Sequence, residues 1–188
     1  MDAAAHDEAS ACHTAPGGET EAAESEVMFY LDGAHTNDSL ASGMRWAEHQ
    51  LRTHACGPQR RLLVFYCSGD RNAAQLLEPL MTLHARLPFW HVAICGNNEP
   101  ADTQGMGAQG WKECLAATWR GCAAGYPGAP QVPVSIFPSV GALTDWIATH
   151  ARHGHSGTGE GKMQVYVTGS LLLCGDLTRH LLSVSPSV

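Results

Sequence analysis

From residue 27 onward the chain alternates between two hydrophobic rhythms. Five short apolar runs are rich in β-branched and aromatic residues: VMFYL (27–31), RLLVFYC (61–67), FWHVAIC (89–95), VPVSIF (132–137) and MQVYVT (163–168). Runs of that length and composition read as strands. Between them apolar residues return every three or four positions: Leu40, Met44, Ala47 and Leu51; Leu76, Leu77, Leu80, His84 and Leu87; Trp111, Leu115 and Trp119 within 108–122; Val140, Leu143, Trp146, Ile147 and His150; and a last segment over 171–182. That spacing puts one apolar face on a helix. Pro79 interrupts the second segment and predicts a kink or a restart there. Strand followed by helix, five times over, implies crossover connections and an α/β fold: a Rossmann-like, mostly parallel sheet of five to six strands with helices on both faces. The strands are apolar at successive positions, as expected where both faces are covered.

Two Gly-rich polar stretches, 96–107 and 153–161, read as loops. Residues 1–26, small and acidic without apolar period, read as a disordered or poorly ordered leader ahead of one α/β domain over 27–188. A length of 188 residues suits one domain and one core.

Composition narrows the partners. With a net charge of −7 and no concentrated basic segment, the chain does not suit a phosphate backbone, so nucleic acid is not expected. No run of about 18 apolar residues is present, so no membrane span is expected. The seven cysteines show no C-x-x-C spacing and are odd in number, and several sit in apolar runs such as VFYCS and VAICG. Reduced, buried thiols fit better than a disulfide framework. His150, His153 and His155 cluster, but without Cys, Asp or Glu at ligand spacing they read as a solvated helix end, and no metal site is expected.

The chemistry should gather at the carboxyl ends of the strands, where open α/β sheets bind ligands. Strand one ends in LDGAHT, strand two in CSGDRN and strand five in VTGSLLL, each with a glycine at the exit and polar groups at a helix start. Glycine lets a ligand approach the backbone closely, and a helix N-terminus favours anions. Asp32 could accept two hydroxyl hydrogen bonds, as acidic residues hold a ribose, with His35 donating to an anion or stacking on a base. Equally, Asp32 could close an Asx-type turn while His35 and Thr36 cap the next helix; spacing alone leaves both open. Asp70 and Arg71, and Thr168 with Ser170, also admit plain capping roles. No G-x-x-x-x-G-K-[ST], G-x-G-x-x-G after the first strand, G-x-S-x-G or H-E-x-x-H occurs. Ligand-facing strand ends without a catalytic engine suggest part of a larger site.

YLDGAHT with a serine three residues on, VFYCSGDRNAAQLL and VYVTGSLLLCGDL together resemble the C-terminal domain of folylpolyglutamate synthase, of the Mur ligase family, in its eukaryotic form. The likeness runs in order from about Val27 to Leu182. It implies a domain of a ligase that joins L-glutamate to the γ-carboxyl of a folate while splitting ATP, through an acyl phosphate attacked by the glutamate amine. By residue, it implies ATP binding by Asp32 and His35, glutamate binding by His35 and Ser170, and a cleft-lining role for Asp70 and Arg71. ATP and Mg²⁺ are the implied cofactors, with the P-loop, the metal ligands and most of the folate site on an N-terminal domain. The WPGR-like segment that usually precedes the first strand in that family is missing, and residues 1–26 contain no arginine. The expectation is therefore a domain that is inactive as a ligase alone, monomeric, and cytoplasmic with a mitochondrial form as a variant. The alternative is a non-catalytic nucleotide- or amino-acid-binding α/β module; the two separate on whether the chain complements a ligase N-terminal domain. Both also imply that Asp32, His35 and Ser170 border one crevice.

Overall fold

The computed structural model describes residues 27–54, 60–68, 71–96, 107–153 and 162–184. In order they form β1 (Val27–Leu31), α1 (Asn37–Thr53), β2 (Arg60–Phe65), α2 (Ala73–Arg86), β3 (His91–Ile94), α3 (Gly107–Gly125), β4 (Val134–Ile136), α4 (Val140–His153), β5 (Met163–Thr168) and α5 (Leu171–Val184). The leader and most of the two Gly-rich loops lie outside the described residues, as do Asp70 and His155.

The five strands make one sheet in the order β1-β5-β2-β3-β4, with every pair parallel. The chain steps from β1 outward to β4 and then returns to insert β5 between β1 and β2. Right-handed crossovers therefore put α1, α2 and α3 on one face and α4 on the other. The packing agrees: α1 meets α2, α2 meets α3, and α4 meets α5. A sixth strand is not present among the described residues.

Burial follows strand position. All six residues of β5 and all four of β3 are buried, whereas the edge strand β4 is only half-buried. Val165 and Val167 are fully buried, and each stabilises the fold by about 1.5–3 kcal/mol relative to exposure. The helical faces also follow the expected period: Leu40, Ala47 and Leu51 are buried from α1, and Leu76, Leu77, Leu80 and His84 from α2.

Three expectations are corrected. The α2 helix does not restart at Pro79 but runs through it; the carbonyl that loses its N–H partner is that of Gln75, which is exposed and can bond to water. The apolar runs overstate the strands, because Tyr66, Cys67, Phe89 and Cys95 are buried without belonging to a strand. The thiols are only in part buried: Cys67, Cys95 and Cys174 are, but Cys114 and Cys122 are half-exposed.

Candidate functional site

The insertion of β5 creates the crevice. At the carboxyl edge, α1 and α2 leave β1 and β2 toward one face while α5 leaves β5, between them, toward the α4 side. Neighbouring strands that feed opposite faces leave a gap between their exits, the usual place for a ligand in an open sheet.

The exits of β1 and β5 are knitted together. Asp32 donates its N–H to the Val167 carbonyl at 2.9 Å, and Gly169 donates to the Ala34 carbonyl at 2.9 Å. Gly33 packs on Leu171 so closely that an added Cβ would lie 2.7 Å from its Cδ1. Gly169 has φ of +94° and approaches the Tyr66 carbonyl, where an added Cβ would lie at 2.3 Å. Only glycine meets both demands there.

Asp32 closes the Asx-type turn: its Oδ1 accepts the Ala34 N–H at 3.0 Å. Its Oδ2 turns inward, accepting the Tyr166 hydroxyl at 2.9 Å and the Thr168 hydroxyl at 3.4 Å. The backbone of α1 closes over that oxygen, since a Cβ on Gly43 would sit 1.8 Å from Oδ2. The phenol holds Oδ2, the Thr168 hydroxyl lies farther off and α1 covers the rest, so the carboxylate keeps one accessible acceptor direction, on Oδ1. A carboxylate taking two ligand hydroxyls does not fit this arrangement; one does. Burial, and then the Asp32 charge, push the Tyr166 phenol well above its ordinary range, so it stays a donor. Burial and the same charge push the Cys174 thiol up to about 11.

His35 is exposed at the start of α1. Its Nδ1 lies 2.9 Å from the Gly33 carbonyl, which can only accept. The neutral ring therefore carries its proton on Nδ1 and presents a bare Nε2 outward. The helix cap belongs to Thr36 and Ser39, which form a reciprocal capping box. His35 is released from the capping role considered for it.

Arg71, half-buried before α2, reaches across the crevice. Its Nε donates to the Ser68 hydroxyl at 3.2 Å, and its Nη1 donates to the His35 carbonyl. Because β5 lies between β1 and β2, a side chain anchored at both exits spans the β5 exit. Ser170 lies there, its hydroxyl accepting the Leu173 N–H at 3.3 Å at the start of α5. The structure thus brings Asp32, His35, Arg71 and the Ser170 turn to one edge. A groove of about 570 Å³ opens beside them, lined by Asp32, Gly33, His35, Gly43 and Trp46 among others; Ser170 does not line it. Trp46 is 42% exposed on its rim.

Sequence reasoning passed over Tyr166, Gly43 and Trp46, and gave Thr168 only a cap or turn role. The available signal was on β5: Gln164, Tyr166 and Thr168 fall on alternate positions of an otherwise apolar strand, a polar column on one face. Elsewhere, His150 stacks on Trp146 at 3.9 Å, and no group of three His, Cys, Asp or Glu is placed to hold a metal among the described residues. The His153 side chain lies outside them. Also among the described residues, no helix is long and apolar enough to cross a membrane.

Fold and site together define a doubly wound α/β domain whose ligand edge is the carboxyl end of a parallel sheet. In sequence, the chain is similar to the mitochondrial folylpolyglutamate synthases of Bos taurus (35% identity over 74 residues), Homo sapiens (33% over 86) and Cricetulus griseus (31% over 93). These matches cover 38%, 44% and 47% of this chain but only 12%, 14% and 15% of the relatives' length. The resemblance is therefore met by relatives of that kind, over a small part of their length and over stretches too short to hold both DGAHT and VTGSL. No family model matches the chain. Among solved structures, E. coli FolC in complex with DHPP and ADP aligns at TM-score 0.48 and 16% identity, covering 85% of this chain and 29% of that one. The murein peptide ligase Mpl of Psychrobacter arcticus aligns at 0.49 and 15%, covering 87% and 28%. Likeness at that level carries no functional information.

Proposed function

We propose that the chain is the C-terminal domain of an ATP-dependent tetrahydrofolate:L-glutamate γ-ligase, a folylpolyglutamate synthase, and that its carboxyl edge helps bind ATP and glutamate. The observation that carries this reading is the convergence of the β1, β5 and β2 exits, with Arg71 reaching from one to another. Those exits hold the motifs shared with the family.

In this reading Asp32 offers one oxygen to the nucleotide. His35 presents Nε2 at the boundary between nucleotide and glutamate. Ser170 and the start of α5 face the glutamate, with Arg71 along the cleft; the cleft-lining role of Asp70 rests on the resemblance alone. A fixed guanidinium and free helix N–H groups stabilise the negative charge that develops on phosphoryl and acyl oxygens. Closure against the N-terminal domain would keep water from the acyl phosphate. The described residues offer no three-ligand metal cluster; the Mg²⁺ ligands, the P-loop and most of the folate site belong to the N-terminal domain. The chain acts as a monomer with no nucleic-acid or membrane partner, in the cytoplasm or, as the relatives' names suggest, in a mitochondrial form. It has no ligase activity alone.

Titrating ADP into the ¹⁵N-labelled chain tests the site. Amide shifts should concentrate at 32–36, 68–72 and 169–171. Shifts confined to the opposite edge, around Arg61 and Gln164, would defeat the reading.

A further inference from the structure

We propose that Tyr166 is a positioning residue that restricts Asp32 to a single ligand hydroxyl, so that the site distinguishes the two hydroxyls of a ribose. The inference rests on the nucleotide reading above and goes beyond it.

Tyr166 is fully buried in the interior strand β5, two residues before Thr168 on the same face. Its hydroxyl donates to Asp32 Oδ2 at 2.9 Å. The Thr168 hydroxyl adds a second, longer donor to the same oxygen, and Gly43 of α1 packs directly against it. A ligand cannot reach Oδ2 without displacing the phenol or the helix. Oδ1 spends one direction on the Ala34 N–H, which leaves it the other, and Asp32 lines the groove. A ribose presents two neighbouring hydroxyls, and a free carboxylate would take both, one on each oxygen. This carboxylate can take only one. With an apolar residue at 166 only the longer Thr168 contact would hold Oδ2 inward, and the carboxylate could turn that oxygen out from under α1; the phenol prevents this.

Calorimetry on the purified chain with ADP, 2′-deoxy-ADP and 3′-deoxy-ADP reads this directly. For the wild type, one deoxy nucleotide should bind about tenfold or more weaker than ADP, the scale of one hydrogen bond to a charged group. The other should bind within about twofold of ADP. Tyr166→Phe keeps the buried ring but removes the bond that pins Oδ2, so the carboxylate can turn both oxygens to the ligand and both deoxy nucleotides should then lose affinity relative to ADP. Thr168→Val leaves the phenol in place and should keep the wild-type pattern. Equal losses for both deoxy nucleotides in the wild type, or a Tyr166→Phe pattern identical to wild type, would overturn the proposal.

A second measurement holds if Tyr166→Phe fails to fold or ADP gives no heat. The Tyr166 hydroxyl proton, buried and held by Asp32, should exchange slowly in proton NMR of the wild type and rapidly in Asp32→Ala. Equal exchange in the two proteins would overturn the positioning role. Absence of ADP binding with slow exchange retained would instead sink the nucleotide reading, and the ribose preference with it, while Tyr166 kept its hold on Asp32.

Discussion

Replacing Gly43 with alanine should destabilise this protein, although the same change in a helix usually does the reverse. Gly43 lies inside α1, where glycine costs about 1 kcal/mol relative to alanine. Were it only a helix residue, Gly43→Ala would raise stability by that amount. The added Cβ, however, would lie 1.8 Å from Asp32 Oδ2 and 2.7 Å from its Cγ. Either α1 lifts from the sheet or the carboxylate rotates away. Rotation breaks the Tyr166 hydrogen bond and leaves a hydroxyl with no solvent access unsatisfied. Losing a bond to a charged group and stranding its buried donor costs roughly 2–4 kcal/mol. Subtracting the gain in helix propensity leaves a net loss of about 1–3 kcal/mol. Gly121 is the internal control: it lies in α3 with nothing within 4 Å of its added Cβ, so Gly121→Ala should stabilise by about 0.5–1 kcal/mol. Urea denaturation followed by circular dichroism reads both. If Gly43→Ala stabilises the chain as Gly121→Ala does, the enclosure of Oδ2 is wrong.

Two further expectations concern the core. His84 is fully buried, accepting the Phe89 N–H on Nδ1 at 3.1 Å and donating from Nε2 to the Pro130 carbonyl at 2.9 Å, so the neutral ring is satisfied and the charged ring is not. Burial lowers its pKa, and that of His91, below the ordinary 6.5. The unfolded chain then takes up protons first, and stability should fall as pH drops below about 6.5, by up to ~1.4 kcal/mol per pH unit for each histidine until the folded state also protonates; urea midpoints that stay level from pH 7.5 to 5 would contradict this. Burial likewise pushes the Cys95 and Cys174 thiols up to about 11, so alkylation at pH 8 mapped by mass spectrometry should label the half-exposed Cys114 before either of them, and earlier labelling of Cys95 or Cys174 would refute the packing.

Local pattern made the elements legible. The strand runs and helical faces of residues 27–184 are written in apolar spacing, which reports burial. Strand order is not local. Nothing near Met163 says that β5 inserts between β1 and β2, a pairing that joins residues more than a hundred positions apart. Right-handed crossover narrows the choices without selecting one. The site was half legible for the same reason. Asp32 and His35 stood out as ionisable groups at a strand exit, but what decides the carboxylate's direction is Tyr166, 134 residues away. Gly43 drew no attention because a close approach by Asp32 leaves no mark in the sequence around it. Arg71 drew only a cleft-lining role, since SGDRN also reads as a cap. Its grip on the His35 carbonyl depends on β1 and β2 flanking β5.

The most direct measurement of the central claim is ATP-dependent addition of labelled glutamate to tetrahydrofolate by this chain mixed with a separately produced N-terminal domain of a folylpolyglutamate synthase. The account predicts product from the mixture, none from either part alone, and a large loss with Asp32→Ala. Product from the N-terminal domain alone at the same rate, or none from two folded parts mixed at high concentration, would contradict it.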